Sequence, residues 1–424
     1  MDDVTRKLAH FIVESHWRDV PKNVRHEAKR SILNWLGTAL GGCRDAGVDI
    51  AIDALREFSG PPQATVLGRR ERFDILNAAI VNGISSNILD FDDTHLRTVI
   101  HPTVPVAAAL TALAEHVPIT GAQYLHAFVL GVEAECRVGN AVTPEHYDAG
   151  WHITASCGVF GAAAACGKIL QLNEQQMTWA LGIAATQASG LTSMLGSMSK
   201  PYNMGHAARN GLAAALLARK NFTSSERGIE APRGFGHVLS TKFMPDEITK
   251  NLGATWELAL NAYKPYPCGI VGHPIIDGCL DLRKAHGITP NAIERIELKV
   301  HPLVMRLMGN PNPLDGLQSK LSVHHCAASA FIFGAVGVKQ FTDDCAVDPA
   351  AVALRARVAP VVEASMAPDA ADVVVILKNG VRHHAFVPHA TGSLERPMTD
   401  KDLEEKFKSL AEWGFSTCNA YDVI

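Results

Sequence analysis

Five apolar segments follow one another between residues 103 and 220, and they decide what this chain can fold into. The segments 103–115, 122–142, 156–170, 174–190 and 205–220 are rich in alanine and leucine, with polar or glycine-containing breaks between them. Apolar runs of about ten or more residues exceed the usual length of a buried strand, so buried helices are predicted. Aromatic residues make up only 6% of the chain while alanine and glycine are abundant, which suits closely packed helices. Hydrophobic residues are 47% and charged residues 19%, enough for a large core, and this composition argues against general disorder.

The helical pattern begins earlier. Pro21 opens a segment in which Val24, Ala28, Ile32, Trp35, Leu36 and Leu40 recur at helical spacing, and Gly41-Gly42 stops it. After about residue 258 the pattern changes. Ile296, Leu298 and Val300 alternate with Arg295, Glu297 and Lys299, which predicts a strand buried on one face. Val373 to Leu377 and Val381 to Val387 flank Lys378-Asn379-Gly380. Asn-Gly there predicts a hairpin with a type I′ turn, because that turn needs positive φ at both central residues. Helices are predicted near 274–286 and 320–336, and again over Asp400 to Trp413. The expected fold is mainly α with an α+β second domain. An all-helical domain spans 1–257, a smaller α+β domain 258–395, and a C-terminal helix in 396–424 returns to the first domain.

Lys plus Arg is 39 against Asp plus Glu at 43, and a net charge of −4 argues against a dedicated nucleic-acid binder. The acidic start, Met1-Asp2-Asp3, is unlike a secretion signal. Runs such as Cys326 to Val338 fall short of the roughly 20 residues that span a bilayer. Nine scattered cysteines without a CxxC pair read as reduced thiols, so a cytoplasmic protein is expected, with no membrane partner.

Four constellations carry chemistry. Asp90-Phe91-Asp92-Asp93-Thr94-His95, with His101-Pro102, places three acids and two histidines within 12 positions between apolar flanks. Such groups are costly to bury without a role, although Asp and Thr also serve as helix caps. The second is His146-Tyr147-Asp148-Ala149-Gly150-Trp151-His152, ahead of a small-residue helix. The third is Lys200 in Gly196-Ser-Met-Ser-Lys200-Pro201, which is not a GxxxxGK[ST] phosphate loop. The fourth comprises Lys264-Pro-Tyr-Pro-Cys268, His273, and Lys320-Leu-Ser-Val-His324-His325. No HExxH or paired Cys/His spacing, nucleophile elbow or dinucleotide fingerprint occurs. The residues themselves point to an enzyme with histidine acid–base groups and lysine anion binders. Neighbouring histidines at 324 and 325 cannot both face one side of a regular helix.

In this order the pieces resemble the MmgE/PrpD family, which includes 2-methylcitrate dehydratase, cis-aconitate decarboxylase and iminodisuccinate epimerase. The carrying residues are Asp90 to His95 with His101-Pro102, Gly150-Trp151-His152, Ser199-Lys200-Pro201, Ala231-Pro-Arg-Gly-Phe-Gly236, Lys264 to Cys268 with His273, and Lys320-Leu-Ser322. The resemblance covers almost the whole chain. It implies a large helical domain and a smaller α+β domain, a homodimer, a site between the domains, and neither metal nor nucleotide cofactor. By position, Asp90, Thr94, His101, His152 and Lys200 fall on the family's site residues, and Lys264 and His273 match its C-terminal contribution. One departure stands out: His325 occupies a position where cis-aconitate decarboxylase and some dehydratases carry Tyr.

The expected activity is a cofactor-independent lyase or isomerase acting on a small di- or tricarboxylate, 2-methylcitrate dehydratase-like. The alternatives are an iminodisuccinate-type epimerase and a cis-aconitate-type decarboxylase. These reactions share a demand: a carbon next to a carboxylate loses or gains a proton, so a base must lie within reach and cations must hold the growing charge. Histidine suits the base because its ordinary pKa is near 6.5. His101 and His152 are the expected acid–base pair. Lys200 and Lys264 are expected to bind carboxylates, with His273, His325, Arg97 and Tyr147 as further substrate contacts. Asp90 or Asp93 would orient a histidine ring or hold Thr94. Two other classes stand beside this reading: a metal-dependent hydrolase using His95, His101 and His152, and a non-catalytic carboxylate-binding protein.

Overall fold

The structure is a computed structural model and describes residues 3–424; the acidic start read at Met1 and Asp2 lies outside the described residues. The chain divides into two compact units. The first holds the chain up to Ile88, then Asp92–Ala262 and Asp400–Ile424. The second holds Leu89–Phe91 and Tyr263–Thr399.

The first unit is helical. Its main helices are α1 (Val4–Glu14), α2 (Lys22–Gly42), α3 (Ala46–Arg56), α4 (Ile75–Asn87), α5 (Thr103–Ala114), α6 (Gly121–Val142), a short α7 (Glu145–Asp148), α8 (Ile153–Ile169), α9 (Glu174–Thr186) and α10 (Ser199–Arg219). The breaks between apolar segments hold the caps. Thr120 and Asn173 each accept the N3 amide while Gln123 and Gln176 reach back, closing two capping boxes. The apolar segments bury nearly every side chain along α5, α6 and α8. Pro21 caps α2, and Gly42 is its last residue. No helix among the described residues is long and apolar enough to cross a membrane.

Small residues set how closely these helices pack. A Cβ on Gly83 of α4 would lie 2.5 Å from the Gly205 Cα of α10, and one on Gly205 would overlap the Ile80 carbonyl. Backbone meets backbone at this crossing, so no side chain can yield. Gly205→Ala is expected to destabilise the protein by about 1–3 kcal/mol, as overpacking does. Gly121→Ala is the control: it has open space around it at the start of α6 and is expected to be neutral or slightly stabilising. Urea unfolding of both variants checks this; equal midpoints would refute the backbone contact. The helix Asp400–Gly414 packs within this same unit, burying Phe407 and Ala411 against Leu40 of α2.

The second unit is a four-stranded mixed sheet packed with helices. β1 (Ile293–Val300) lies parallel to β2 (Val358–Val362) and antiparallel to β3 (Ala371–Leu377), and β3 pairs antiparallel with β4 (Arg382–Val387). Ile296 faces Val375 and Leu298 faces Val373 across the ladder. These four residues share a core with Ile275, Ile276 and Cys279 from helix His273–His286, and with Ala327, Ala330 and Phe331 from helix Val323–Phe333. The β3–β4 turn departs from the predicted type. Positive φ occurs at Gly380 (84°) and not at Asn379. The Gly380 N–H donates to the Leu377 carbonyl and the Leu377 N–H to the Val381 carbonyl, so the loop has three residues and glycine takes its left-handed last position.

Candidate active site

The Asp90–His95 loop is divided between the two units. Asp90 belongs to the second, and its backbone is left-handed at φ 53°, which aspartate tolerates better than most residues. The Lys264 ammonium of that unit donates to Asp90 Oδ1 at 2.8 Å and to the Asp90 carbonyl at 3.2 Å. Both residues are buried, and Lys264 is a cation already held by a carboxylate.

From Asp92 onward the loop belongs to the first unit. A short strand, Asp93–His95, makes successive side chains point to opposite sides. The Asp93 carboxylate accepts from Asn261 Nδ2 at 2.5 Å and from the Thr103 hydroxyl at the start of α5. Burial pushes the Asp93 carboxyl up to about 6, against the bonds from Thr103 and Asn261. The Asp93 carbonyl accepts from His101 Nδ1 at 2.9 Å, and the Thr94 hydroxyl lies 3.3 Å from the same nitrogen. Nδ1 therefore carries the proton in neutral His101, and Nε2 is the basic nitrogen. His95, by contrast, is tied down: Nδ1 meets Thr98 at 2.8 Å and Nε2 meets Glu257 at 3.1 Å.

His101 precedes α5 and His152 caps α8. The His101 N–H donates to Thr154 Oγ1 at 3.1 Å, which fixes the first histidine's backbone against the first turn of α8. The His152 N–H donates to the Gly190 carbonyl at 3.0 Å. Gly190 has φ 103°, and a Cβ there would lie 3.4 Å from the Asn203 carboxamide. Asn203 sits one turn along α10 from Lys200, which is itself buried. His101, His152 and Lys200 all belong to the first unit, with the two histidines tied to α8 and Gly190 through their backbone N–H groups. A fully buried carboxyl, Glu135, lies behind them. Ideal Cβ atoms on Gly158 and Gly161 of α8 would stand 3.3 and 2.6 Å from its Oε2. Both its oxygens lack a hydrogen-bond partner, and burial, then Asp93, pushes it well above the carboxylate range.

Other predicted contacts are placed elsewhere. Arg97 pairs with Glu247 at 2.7 Å with its side chain half exposed. His325 is fully buried in the second unit, with Nε2 at 2.7 Å from the Gln340 carbonyl and Nδ1 at 3.4 Å from Arg355. Both of its ring nitrogens are engaged within the core, which leaves no nitrogen for a substrate carboxylate. His273 is buried edge-on to Tyr266. Tyr147 is half-buried on the short α7, whose inward residue is His146. His146 Nδ1 lies 2.7 Å from the Leu239 carbonyl and Nε2 2.6 Å from Ser156. The donor set of the metal-hydrolase alternative does not assemble. Among the described residues, the group with metal-holding spacing is Asp369, His389 and Glu395, remote in sequence from His95, His101 and His152. Sequence reasoning missed Asn261 and Thr154, which carry no local signal. It also missed Glu135, whose signal was three charges, Glu133, Glu135 and Arg137, inside an apolar helix.

Comparison with known proteins gives consistent matches over most of the chain. The model of the MmgE/PrpD N-terminal domain matches residues 6–248, and that of the MmgE/PrpD C-terminal domain matches residues 266–421. Cis-aconitate decarboxylase of Homo sapiens is 28% identical over 412 residues, spanning 92% of this chain and 83% of that protein. A cis-aconitate decarboxylase-like protein of Aspergillus oryzae is 26% identical over 440 residues, spanning 96% and 90%. Cis-aconitate decarboxylase of Aspergillus terreus is 30% identical over 287 residues, spanning 64% and 59%.

Proposed function

The chain belongs to the MmgE/PrpD family, and from that premise we propose that it is a lyase acting on a small di- or tricarboxylate by proton transfer at a carbon next to a carboxylate. The observation that carries this is the placing of His101 and His152 at the starts of two adjoining helices, joined through Thr154. Two histidines so held supply a base and an acid. In a dehydration of the 2-methylcitrate type, His152 takes the proton from the carbon and His101 gives one to the departing hydroxyl. An alkene and water result, and the pair of histidines has exchanged one proton. Lys200 supplies positive charge for the carboxylate as the carbon–hydrogen bond breaks. No step calls for a metal or an organic cofactor, and full turnover is expected after dialysis against a chelator.

A second reading is decarboxylation, favoured by the names of the similar chains. There the carbon–carbon bond breaks, carbon dioxide leaves, and the electron pair left on carbon takes a proton from a histidine. The buried His325 at the position of a family tyrosine weighs against carrying that substrate over unchanged. We read the working form as a cytoplasmic homodimer, which light scattering checks for the assembly.

Proton NMR in D₂O with 2-methylcitrate, citrate, cis-aconitate and iminodisuccinate tests the reading. Deuterium entering one carbon next to a carboxylate is expected, and loss of water, loss of carbon dioxide or neither names the branch. A folded protein giving no exchange with any of them would refute the proposed chemistry for this substrate class.

A further inference from the structure

We propose that Asp92, held by Asn87, is the positioning residue that fixes the His101 ring and favours its protonated form. This rests on the reading of His101 as an acid–base group. Asp92 is 1% exposed. Its Oδ2 accepts from Asn87 Nδ2, the last residue of α4, at 2.7 Å and lies 3.5 Å from His101 Nδ1. Its Oδ1 is buried with no hydrogen-bond partner. A buried carboxylate with an unsatisfied oxygen is expensive unless a positive charge stands close by. The imidazolium of His101 is the charge that the geometry offers. The ring then donates Nδ1–H toward the Asp93 carbonyl and Asp92, and Nε2–H is the proton assigned to the chemistry. This assigns His101 as the acid and leaves His152 as the base.

Asp93 and Glu135 do not share this role. The Asp93 side chain points to the other side of its strand, where Thr103 and Asn261 hold it. Glu135, from α6, lies near Asp93, and burial, then Asp93, raises its carboxyl well above the ordinary value. From α8, the titratable groups in this region are His152 and the buried Cys157, whose thiol is raised by burial. Of Asp92, Asp93 and Glu135, Asp92 is thus the carboxylate aimed at the ring.

The test is an NMR titration of protein labelled at histidine Cε1, with the His101 signal assigned by its loss in His101→Gln. In Asp92→Asn the His101 midpoint is expected to fall by about one pH unit, a tenfold loss of proton affinity, because an opposite charge at this range is removed. Asn87→Ala, which keeps the carboxylate but loosens it, is expected to lower the midpoint by less and guards against misfolding of the first variant. With substrate, kcat is expected to fall about tenfold in Asp92→Asn while KM holds, since the residue touches the ring and not the ligand. An unmoved His101 midpoint in folded Asp92→Asn would overturn the inference and leave Asp92 a packing residue. A shifted midpoint in a protein that turns over no carboxylate would sink the proposed function and leave this inference standing.

Discussion

Replacing His152 with glutamine is expected to lower turnover by about two to four orders of magnitude, the usual cost of losing a positioned acid–base group. The fold is expected to survive. His152 caps α8 without a side-chain cap bond, and its N–H bond to the Gly190 carbonyl is made by the backbone. Glutamine keeps both. A contrasting variant separates chemistry from architecture. His146 uses both ring nitrogens inside the fold, on the Leu239 carbonyl and on Ser156. His146→Gln is therefore expected to lower the melting temperature more than His152→Gln does, and to lower kcat less. Steady-state kinetics and thermal melts on the two variants give the answer. Near-normal turnover in a folded His152→Gln protein would remove this residue from the mechanism.

Much of the fold was legible because α5, α6 and α8 of the first unit are long and largely apolar. Runs of that length favour helices over strands, and abundant alanine and glycine suit close packing of the kind seen where α4, outside the predicted segments, crosses α10 at Gly83 and Gly205. The alternation of Ile296, Leu298 and Val300 marked a strand buried on one face, and the β3–β4 hairpin forms at Asn379-Gly380. Its type was misread because the flanking register adds Lys378 to the loop, and register is a tertiary choice. The site was legible as a motif but not as a set of contacts. Asp90, Asp92 and Asp93 are near neighbours in sequence, yet they serve Lys264, Asn87 and Asn261 respectively. Which acid meets which partner depends on the left-handed turn at Asp90 and on the alternation of the strand after it. Asn261 bonds Asp93 from 168 residues away, and nothing near it in sequence announces that. The pair His324-His325 is buried at both positions. The structure seals His325 in the core, with His324 slightly more exposed.

Acidification from pH 6.5 to 4 is expected to weaken the second unit by about 3 kcal/mol through His325 alone. Burial, against the bond to the Gln340 carbonyl, lowers this histidine from 6.5 to about 4. The folded state thus prefers the neutral ring. Its contribution is fully present above the unfolded pKa of 6.5 and is lost as pH falls toward 4, because the unfolded chain takes up the proton first. His324 is lowered too, by burial and then Arg355, and adds in the same direction. The first unit has similar histidines, His126 and His146, each pushed to about 4 by burial. It also carries an opposing set. Burial raises Asp93 to about 6 and Glu133 to about 7, and groups raised in this way stabilise the fold as pH falls toward their ordinary values. The two sets offset each other there. Hydrogen exchange at pH 6.5 and pH 4.5 is therefore expected to show protection lost first in β1, β3 and the helix Val323–Phe333. His325→Gln removes the titrating ring and is expected to flatten that dependence. Loss of protection spread evenly over both units, unchanged in His325→Gln, would show that this histidine does not control acid stability.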